Sequence, residues 1–216
     1  MRKIMCILLL SLWQASPAYS LIKVQVFGGS SSGDFKPDTG SSAKLGASDF
    51  GTTLLLDPIP LVPVGFGVSV IQQKFSASIA DHGVKDMEGL VVAPEIQAWL
   101  PFLPIPLIPY GRLGYAVGLY KATGESTIQG QTFNPDYGVG VSGLQIGVGA
   151  KYEPLPLPLL TLAILLEVNI RAYEFDDKTT DILGLPAGES KDNYKSSLHK
   201  GSWNGTAILL GVEAGF

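Results

Sequence analysis

The feature that most constrains the fold of this chain is a repeated alternation of apolar residues with polar or small residues. Eight segments follow this pattern, and the clearest covers residues 144–152. There, Leu, Ile, Val, Ala and Tyr at even positions alternate with Gln, Gly, Gly and Lys at odd positions. Because successive side chains of a β-strand point to opposite faces, a period of two predicts strands with one apolar face. The second segment, residues 45–56, shows the pattern least clearly.

Proline clusters and polar stretches separate these segments. Ten of the 15 prolines fall within residues 58–63, 101–109 and 154–158. Proline has no amide hydrogen to give to a sheet, so each cluster predicts a short turn. Longer stretches rich in Gly, Ser, Asp and Lys cover residues 29–44, 76–85, 122–140 and 176–202, and we expect these to be long loops. Pro94 falls inside the fourth predicted strand, where we expect a β-bulge or a displaced strand.

The first twenty residues have the composition of a secretory signal. Arg2 and Lys3 precede an apolar run over residues 4–13, and Ala18 and Ser20 place small residues at the −3 and −1 positions of a cleavage site. An alternative site would start the mature chain at Tyr19 instead of Leu21. We therefore expect a signal peptide at residues 1–20 and one barrel domain at residues 21–216. Residues 21–216 contain no cysteine, so this domain must be stable without disulfides.

The charged residues decide which face of the strands meets which environment. Only 16% of the residues are charged, and those in the alternating segments lie opposite the apolar rows. A Lys or Arg facing lipid near the bilayer midplane costs about 2–4 kcal/mol, so a lipid-facing row stays free of charge. The pattern predicts an all-β fold: a closed, up-and-down antiparallel transmembrane β-barrel of eight strands with its charges in the lumen. The predicted lumen charges are Lys23, Glu95, Arg112, Lys151, Glu167, Arg171 and Glu213.

Within this lumen network, opposite charges should form pairs. We expect Arg112 to pair with Glu95, and Arg171 to pair with Glu167 or Glu213. A structural network of this kind is favoured over a proton or ion path because the lumen of an eight-stranded barrel is narrow.

The end of the chain supports a bacterial outer-membrane location. Ile208, Leu210, Val212, Ala214 and Phe216 alternate up to the last residue. The chain resembles the small outer-membrane β-barrels of the OmpX, OmpW and OmpA-barrel type. The resemblance implies a Gram-negative protein that crosses the periplasm and reaches the outer membrane, where lipid and lipopolysaccharide surround it. It also implies that these five residues are an assembly signal for the barrel-assembly machinery.

Aromatic residues near the strand ends predict girdles at the two membrane interfaces. One group lies beside a proline turn and the other near the long loops; together they are Trp99, Phe102, Tyr110, Tyr173, Phe175 and Trp203.

The sequence shows no catalytic or cofactor motif. His82 lies beside Asp81 and His199 lies near Ser197 and Ser202, all in predicted loops and without a firm scaffold for a Ser-His-acid site. No spacing predicts a metal site or a phosphate cradle. The net charge of −4 argues against nucleic-acid binding. We therefore expect a protein without cofactor or metal.

The sequence is compatible with four functions. The favoured one is a non-catalytic structural role, or recognition of an extracellular ligand through the long loops. A second is a narrow, porin-like conduit for small apolar molecules, lined by Ile71, Leu165 and Leu209. A third is a lipid-A-modifying enzyme that depends on His82 or His199. A fourth is a secreted soluble barrel of the lipocalin type, with its aliphatic rows inside.

Overall fold

The structure is a computed structural model that describes residues 21–38, 41–58, 62–75, 84–100, 106–124, 126–128, 131–133, 136–156, 160–177 and 201–216. The predicted signal peptide, Phe102, His82 and His199 lie outside the described residues. Among the residues described, no helix has the length and hydropathy needed to cross a membrane.

Eight long antiparallel strands close into a barrel, which confirms the predicted fold. In chain order the strands are β1 (Ile22–Pro37), β2 (Ala43–Leu56), β3 (Val64–Phe75), β4 (Val84–Trp99), β5 (Leu107–Gly124), β6 (Ser126–Ile128), β7 (Gln131–Phe133), β8 (Asp136–Pro156), β9 (Thr161–Asp177) and β10 (Gly201–Gly215). The barrel order is β1-β10-β9-β8-β5-β4-β3-β2, while β6 and β7 form a separate two-stranded sheet between β5 and β8.

The first and last strands close the barrel at the end that carries the short turns. There, the Ile22 amide donates to the Phe216 carbonyl at 3.2 Å, and the Phe216 amide donates to the Ile22 carbonyl at 2.8 Å. Following the strand register from Val26 once around the barrel leads back to β1 at Lys36, ten residues further on. Such a stagger requires strands inclined by about 40° to the barrel axis.

The strands extend further than the polar composition of their ends suggests. Most of residues 29–44, predicted to be a loop, belongs to β1 and β2, which pair from Ile22–Leu56 up to Phe35–Ala43. Likewise, β6 and β7 lie within the predicted loop at residues 122–140. These loop predictions were wrong because a strand can extend beyond the apolar part of the outer surface. There it carries polar residues on its outer face and still forms hydrogen bonds with its neighbouring strands. The segment at residues 45–56 is a regular strand, with every second residue buried from Leu45 to Leu55.

Pro94 lies within β4 without a bulge, so that expectation was wrong. Val92 pairs with Val117 and Glu95 pairs with Gly114, which is one continuous register along β4 and β5. The ladder omits the residues between these pairs, and the Pro94 ring is exposed on the outer face. The barrel therefore tolerates the missing amide hydrogen at the cost of local ladder hydrogen bonds.

The aliphatic rows point outward on all eight long strands. Val148 is 61% exposed and Ile164 is 50% exposed, whereas Gln145 and Asn169 are fully buried. The outward apolar residues include Val26, Leu54, Phe66, Val92, Leu113, Ile146, Leu166 and Leu210. A lipocalin-type barrel would have these rows inside, so that alternative is wrong.

Candidate functional site

The lumen is the most elaborate part of the molecule, because it holds nearly all of the buried polar residues. The structure places the seven predicted lumen charges on the inner face, six of them buried and Lys23 partly exposed. From the short-turn end to the loop end, the lumen contains a lower polar layer, a central polar layer and an aromatic layer.

The lower polar layer centres on Glu213, at the last strand. The Lys151 ammonium lies 2.6 Å from the Glu213 carboxylate, and the Gln25 amide donates to the same oxygen at 2.7 Å. Lys23 lies 3.4 Å from the Asp57 carboxylate, and its ammonium is 4.1 Å from the centre of the Trp99 ring. Each cation in this layer thus has a carboxylate partner, and both also lie over an aromatic ring.

The central polar layer is built around the Glu167 carboxylate. Arg112 donates to one Glu167 oxygen from two nitrogens, at 2.6 and 2.9 Å. Tyr110 donates to the other oxygen at 2.8 Å, and Asn169 donates to the first at 3.0 Å. Four donors therefore converge on one buried carboxylate, which compensates for the loss of its hydration.

Arg112 also contacts a second carboxylate, as the sequence predicted. Its Nη1 atom lies 3.5 Å from both Glu95 oxygens. Glu95 in turn accepts a hydrogen bond from Ser69 at 2.5 Å, and Ser69 shares another with Thr53 at 2.6 Å. The chain of contacts crosses the lumen from β2 to β9, so it ties together strands that are not neighbours.

Arg171 has a different partner from those predicted. It pairs with neither Glu167 nor Glu213; its Nη1 atom donates to Asp49 at 2.9 Å, and both side chains are fully buried. Gln73 donates to the other Asp49 oxygen at 2.8 Å, and Tyr120 donates to Gln73. Sequence reasoning missed Asp49 because its strand showed the weakest alternation. Its odd position, shared with Leu45, Leu55 and the buried Thr53, was the available signal.

An aromatic layer fills the lumen above these polar layers. The rings meet at centroid distances of 5.5–5.8 Å in tilted and edge-to-face arrangements, and the residues are Phe35, Phe75, Tyr120, Tyr173, Phe175 and Trp203. Tyr173, Phe175, Trp203 and Tyr110 are therefore not girdle residues, and Trp99 lies over the lumen cations. The girdle prediction failed for these residues because it used distance from the loops and ignored which face each residue occupies.

Glycines on the inner face leave room for the large polar side chains. A Cβ atom at Gly147 would lie 2.5 Å from a Glu167 oxygen, and one at Gly149 would lie 2.8 Å from the Tyr110 ring. Ile71, Leu165 and Leu209, the proposed conduit lining, are buried in the packed lumen. A cavity bordered by Arg112, Leu165 and Leu209 has a volume of about 10 Å³, which is room for about one water molecule.

The described polar side chains of the lumen mainly contact one another. Within the described ranges there is no cluster of three or more potential metal-ligating side chains. The buried carboxylates are held by arginine, lysine, tyrosine and amide donors, so they act as fixed acceptors. These hydrogen bonds and ion pairs connect strands across the lumen and so cross-link the barrel wall from inside.

Comparison with solved structures identifies similar folds. No protein-family model matches the chain, and no curated protein sequence matches it either. Neisserial surface protein A (NspA) matches with a TM-score of 0.54 and 14% identity, over 91% of this chain and 98% of that one. Ail of Yersinia pestis matches with a TM-score of 0.45 and 15% identity, over 90% and 98% of the two chains. OprG of Pseudomonas aeruginosa matches with a TM-score of 0.43 and 12% identity, over 91% and 96%. The closed barrel, its outward aliphatic rows and its likeness to NspA together show that the chain has the fold of the small eight-stranded outer-membrane β-barrel proteins.

Proposed function

We propose that the protein is an integral outer-membrane β-barrel with a closed lumen and no catalytic activity. Its role is structural, or it recognises an extracellular ligand through the loops at the end opposite the short turns. The observation that carries this proposal is that apolar side chains face outward on all eight long strands while paired charges and aromatic rings fill the interior.

The outer surface has the height that a membrane requires. On β5, the outward residues are apolar from Leu107 to Leu119, apart from Gly111. Twelve residues of a strand inclined by about 40° rise about 30 Å, close to the hydrocarbon thickness of a bilayer. Because the barrel is closed, backbone amides and carbonyls of the long strands pair with neighbouring strands on both sides, as a lipid environment requires.

The filled lumen favours a structural or recognition role over a conduit. The polar layers and the aromatic layer each span the interior, so a small apolar molecule would have to displace several buried side chains to pass. Each predicted lumen charge has an ion-pair partner within 4 Å.

The outward-facing residues at the end of the chain support the proposal that the protein is assembled in an outer membrane. Ile208, Leu210 and Val212 face outward on β10, Ala214 lies in the same row, and Phe216 is exposed immediately after the strand. We propose that this row is read by the barrel-assembly machinery, and that residues 1–20 direct export through the periplasm. The partners on this hypothesis are outer-membrane lipid, lipopolysaccharide and an extracellular ligand of the loops.

Three measurements on the refolded protein test the proposal. Folded protein in lipid vesicles should resist extraction with alkaline carbonate, and its gel mobility should change on heating. In planar bilayers it should give no steady conductance above the bare membrane. Stable conductance or efflux of small apolar solutes would favour the conduit, and a mature chain that stays soluble without amphiphile would refute membrane insertion.

A further inference from the structure

Three buried polar groups on one patch of the inner wall have no hydrogen-bond partner among the described residues. They are the Nη2 atom of Arg171, the Nε1 atom of Trp203 and the hydroxyl of Ser31. Arg171 and Trp203 are fully buried, and Ser31 is 5% exposed. Buried polar groups in folded proteins are almost always paired with protein or with ordered water, so three unpaired groups on one patch indicate a ligand.

The strand register places the three groups around Gly205 of β10. Arg171 on β9 pairs with Gly205, and Gly205 pairs with Gly33 on β1. Trp203 is the next inner residue on β10, and its ring folds over Gly205. A Cβ atom at Gly205 would lie 2.7 Å from the Cε2 atom of the ring, to which Nε1 is bonded. Ser31 is one inner position from Gly33 on β1, toward the short turns.

The guanidinium of Arg171 reaches this patch from β9. It bonds to Asp49 on β2, so the side chain extends in front of β10 and β1, which lie between these two strands. Asp49 pairs with Gly29, which is one position from Ser31 on the same face of β1. The Nη1 atom contacts Asp49 and the Nε atom contacts Asn169, so Nη2 is the guanidinium nitrogen left to meet another group.

The wall itself offers little to pair with these donors. The odd positions 29, 31 and 33 share one face of β1 and are Gly, Ser and Gly, while positions 205 and 207 of β10 are Gly and Ala. Glycine and alanine have no polar side chain, so Ser31 is the single polar side chain among these five positions. A small molecule between the wall and the two nitrogen donors can supply the missing acceptor.

Hydrogen-bonding capacity and charge select water as this molecule. The guanidinium and the indole can only donate, whereas the Ser31 hydroxyl can also accept. The ligand must therefore accept two hydrogen bonds and donate one, which a water molecule does. An anion is disfavoured, because the lumen holds five buried carboxylates against four cations and Arg171 already has an ion-pair partner. The carboxylates are Asp49, Asp57, Glu95, Glu167 and Glu213, and the cations are Lys23, Arg112, Lys151 and Arg171.

Packed side chains separate this patch from both ends of the lumen. Toward the loop end, the Trp203 ring meets the rings of Phe75 and Tyr173 at centroid distances of 5.5 and 5.7 Å. Toward the short turns lies the buried ion pair of Arg112 and Glu167. A water molecule enclosed in this way exchanges slowly with solvent, because its release requires buried side chains to move apart.

We propose that one water molecule is bound between Arg171 Nη2, Trp203 Nε1 and Ser31 Oγ as a fixed part of the lumen. It accepts from the two nitrogens and donates to the hydroxyl, so it connects β9, β10 and β1. These strands include the seam where the last strand meets the first. The bound water thus closes that seam from inside, at a level where the wall has only small side chains. The inference does not depend on the proposed membrane location.

Cross-relaxation between water and the Trp203 Nε1 proton tests the proposal, measured by NMR on the folded mature barrel in deuterated neutral detergent. A Trp99→Phe variant identifies the Trp203 signal. Its cross-peaks to water should have opposite signs in the laboratory-frame and rotating-frame experiments, as expected for a bound water and not for proton exchange. Ser31→Val fills the site with an apolar group and should abolish the cross-peak. The matched control Ser32→Val changes the neighbouring residue, which is exposed on the outer face, and should keep it.

A further variant separates bound water from the serine hydroxyl. Ser31→Ala removes the hydroxyl without adding volume, and the two nitrogen donors should still hold the water, so the cross-peak should persist. Its loss in Ser31→Ala would show that the hydroxyl proton was the source, and this would overturn the proposal. A missing cross-peak in the folded parent, or one that persists in Ser31→Val, would also overturn it.

Two more measurements complete the test. The Trp203 indole signal should not shift with sodium bromide; a shift that saturates would mean that an anion occupies the site instead of water. Heat-modifiable gel mobility is measured on every variant. If Ser31→Val fails to fold, a crystal structure of the parent decides. One water within hydrogen-bond distance of the three atoms is expected, and a site without water refutes the proposal.

Discussion

Replacing Asp49 by Asn is expected to destabilise the folded barrel by about 3–5 kcal/mol, because it leaves a buried arginine without its carboxylate. Arg171 and Asp49 are both fully buried, and Asp49 is the carboxylate within ion-pair distance of Arg171 in the described residues. Asparagine keeps the shape and one acceptor oxygen, so the loss comes from the charge. A substitution that only reduced side-chain volume would not leave the Arg171 charge without a carboxylate, so its effect on stability would differ.

A matched control comes from the other buried arginine. Glu95→Gln should cost about 1 kcal/mol, because Arg112 retains its two shorter contacts with Glu167. Glu95 and Asp49 are both buried acids of the lumen, so the two variants differ mainly in whether the arginine keeps a partner. The ratio of the two losses is the informative quantity.

Urea unfolding in lipid vesicles, followed by tryptophan fluorescence and by heat-modifiable mobility, measures both losses. The double variant Asp49→Asn/Arg171→Met removes both charges and should regain at least half of the stability lost by Asp49→Asn. Equal losses for Asp49→Asn and Glu95→Gln, or a double variant as unstable as the sum of its single changes, would refute the argument.

The remaining predictions concern lumen packing and the loop end. Gly147→Ala should cost about 1–3 kcal/mol in the same urea assay, because its Cβ would lie 2.5 Å from a carboxylate oxygen, whereas Gly111→Ala, with its nearest atom at 3.7 Å, should be close to neutral. Trp203 is fully buried in the lumen, so in a mature Trp99→Phe chain its fluorescence should resist quenching by brominated lipid chains; strong quenching would place it outside. Hydrogen bonds from Lys121 and Thr123 hold the pKa of the Asp136 carboxyl below its ordinary value. The Lys121–Asp136 ion pair therefore stabilises the fold at pH values above the ordinary pKa of an aspartate, and this stabilisation is lost as the pH falls through the lowered pKa of Asp136. An NMR titration of Asp136 with a midpoint at or above the ordinary value would contradict this prediction.

The fold could be predicted from the sequence because alternation and charge placement are set by two simple rules. A strand exposes every second residue, and lipid excludes charge, so Glu95, Arg112 and Lys151 could be assigned to the lumen from their positions alone. The even number of long strands followed from the same pattern. These features depend only on the local sequence and on the contrast between the lipid outside the barrel and the lumen inside it.

The details of the lumen could not be predicted, because they depend on which strands face each other across the barrel. The partner of Arg171 is Asp49, which is 122 positions away and three strands distant in the barrel order. Tyr173 and Trp203 were assigned to an interface because they lie near loops, but their odd positions put them on the inner face with Arg171. A one-residue difference along a strand reverses the face, so the distance from a loop is a weak guide.

The extended strands show a second limit of sequence reasoning. Serine, glycine and aspartate dominate residues 29–38, which favours a loop on composition. In the structure these residues pair on both sides, with β2 and β10, so pairing across two neighbours outweighs weak local propensity.

Side-chain orientation is the central claim, and nitroxide labels on single cysteines test it most directly. In a Cys6→Ser background, labels at Val148→Cys and Ile164→Cys should collide readily with oxygen and be shielded from a water-soluble nickel complex, as expected for residues in hydrocarbon. A label at Glu88→Cys, above the apolar belt, should show the opposite preference. Labels at 148 and 164 that are shielded from both reagents, or that meet the nickel complex freely, would contradict an outward-facing apolar surface.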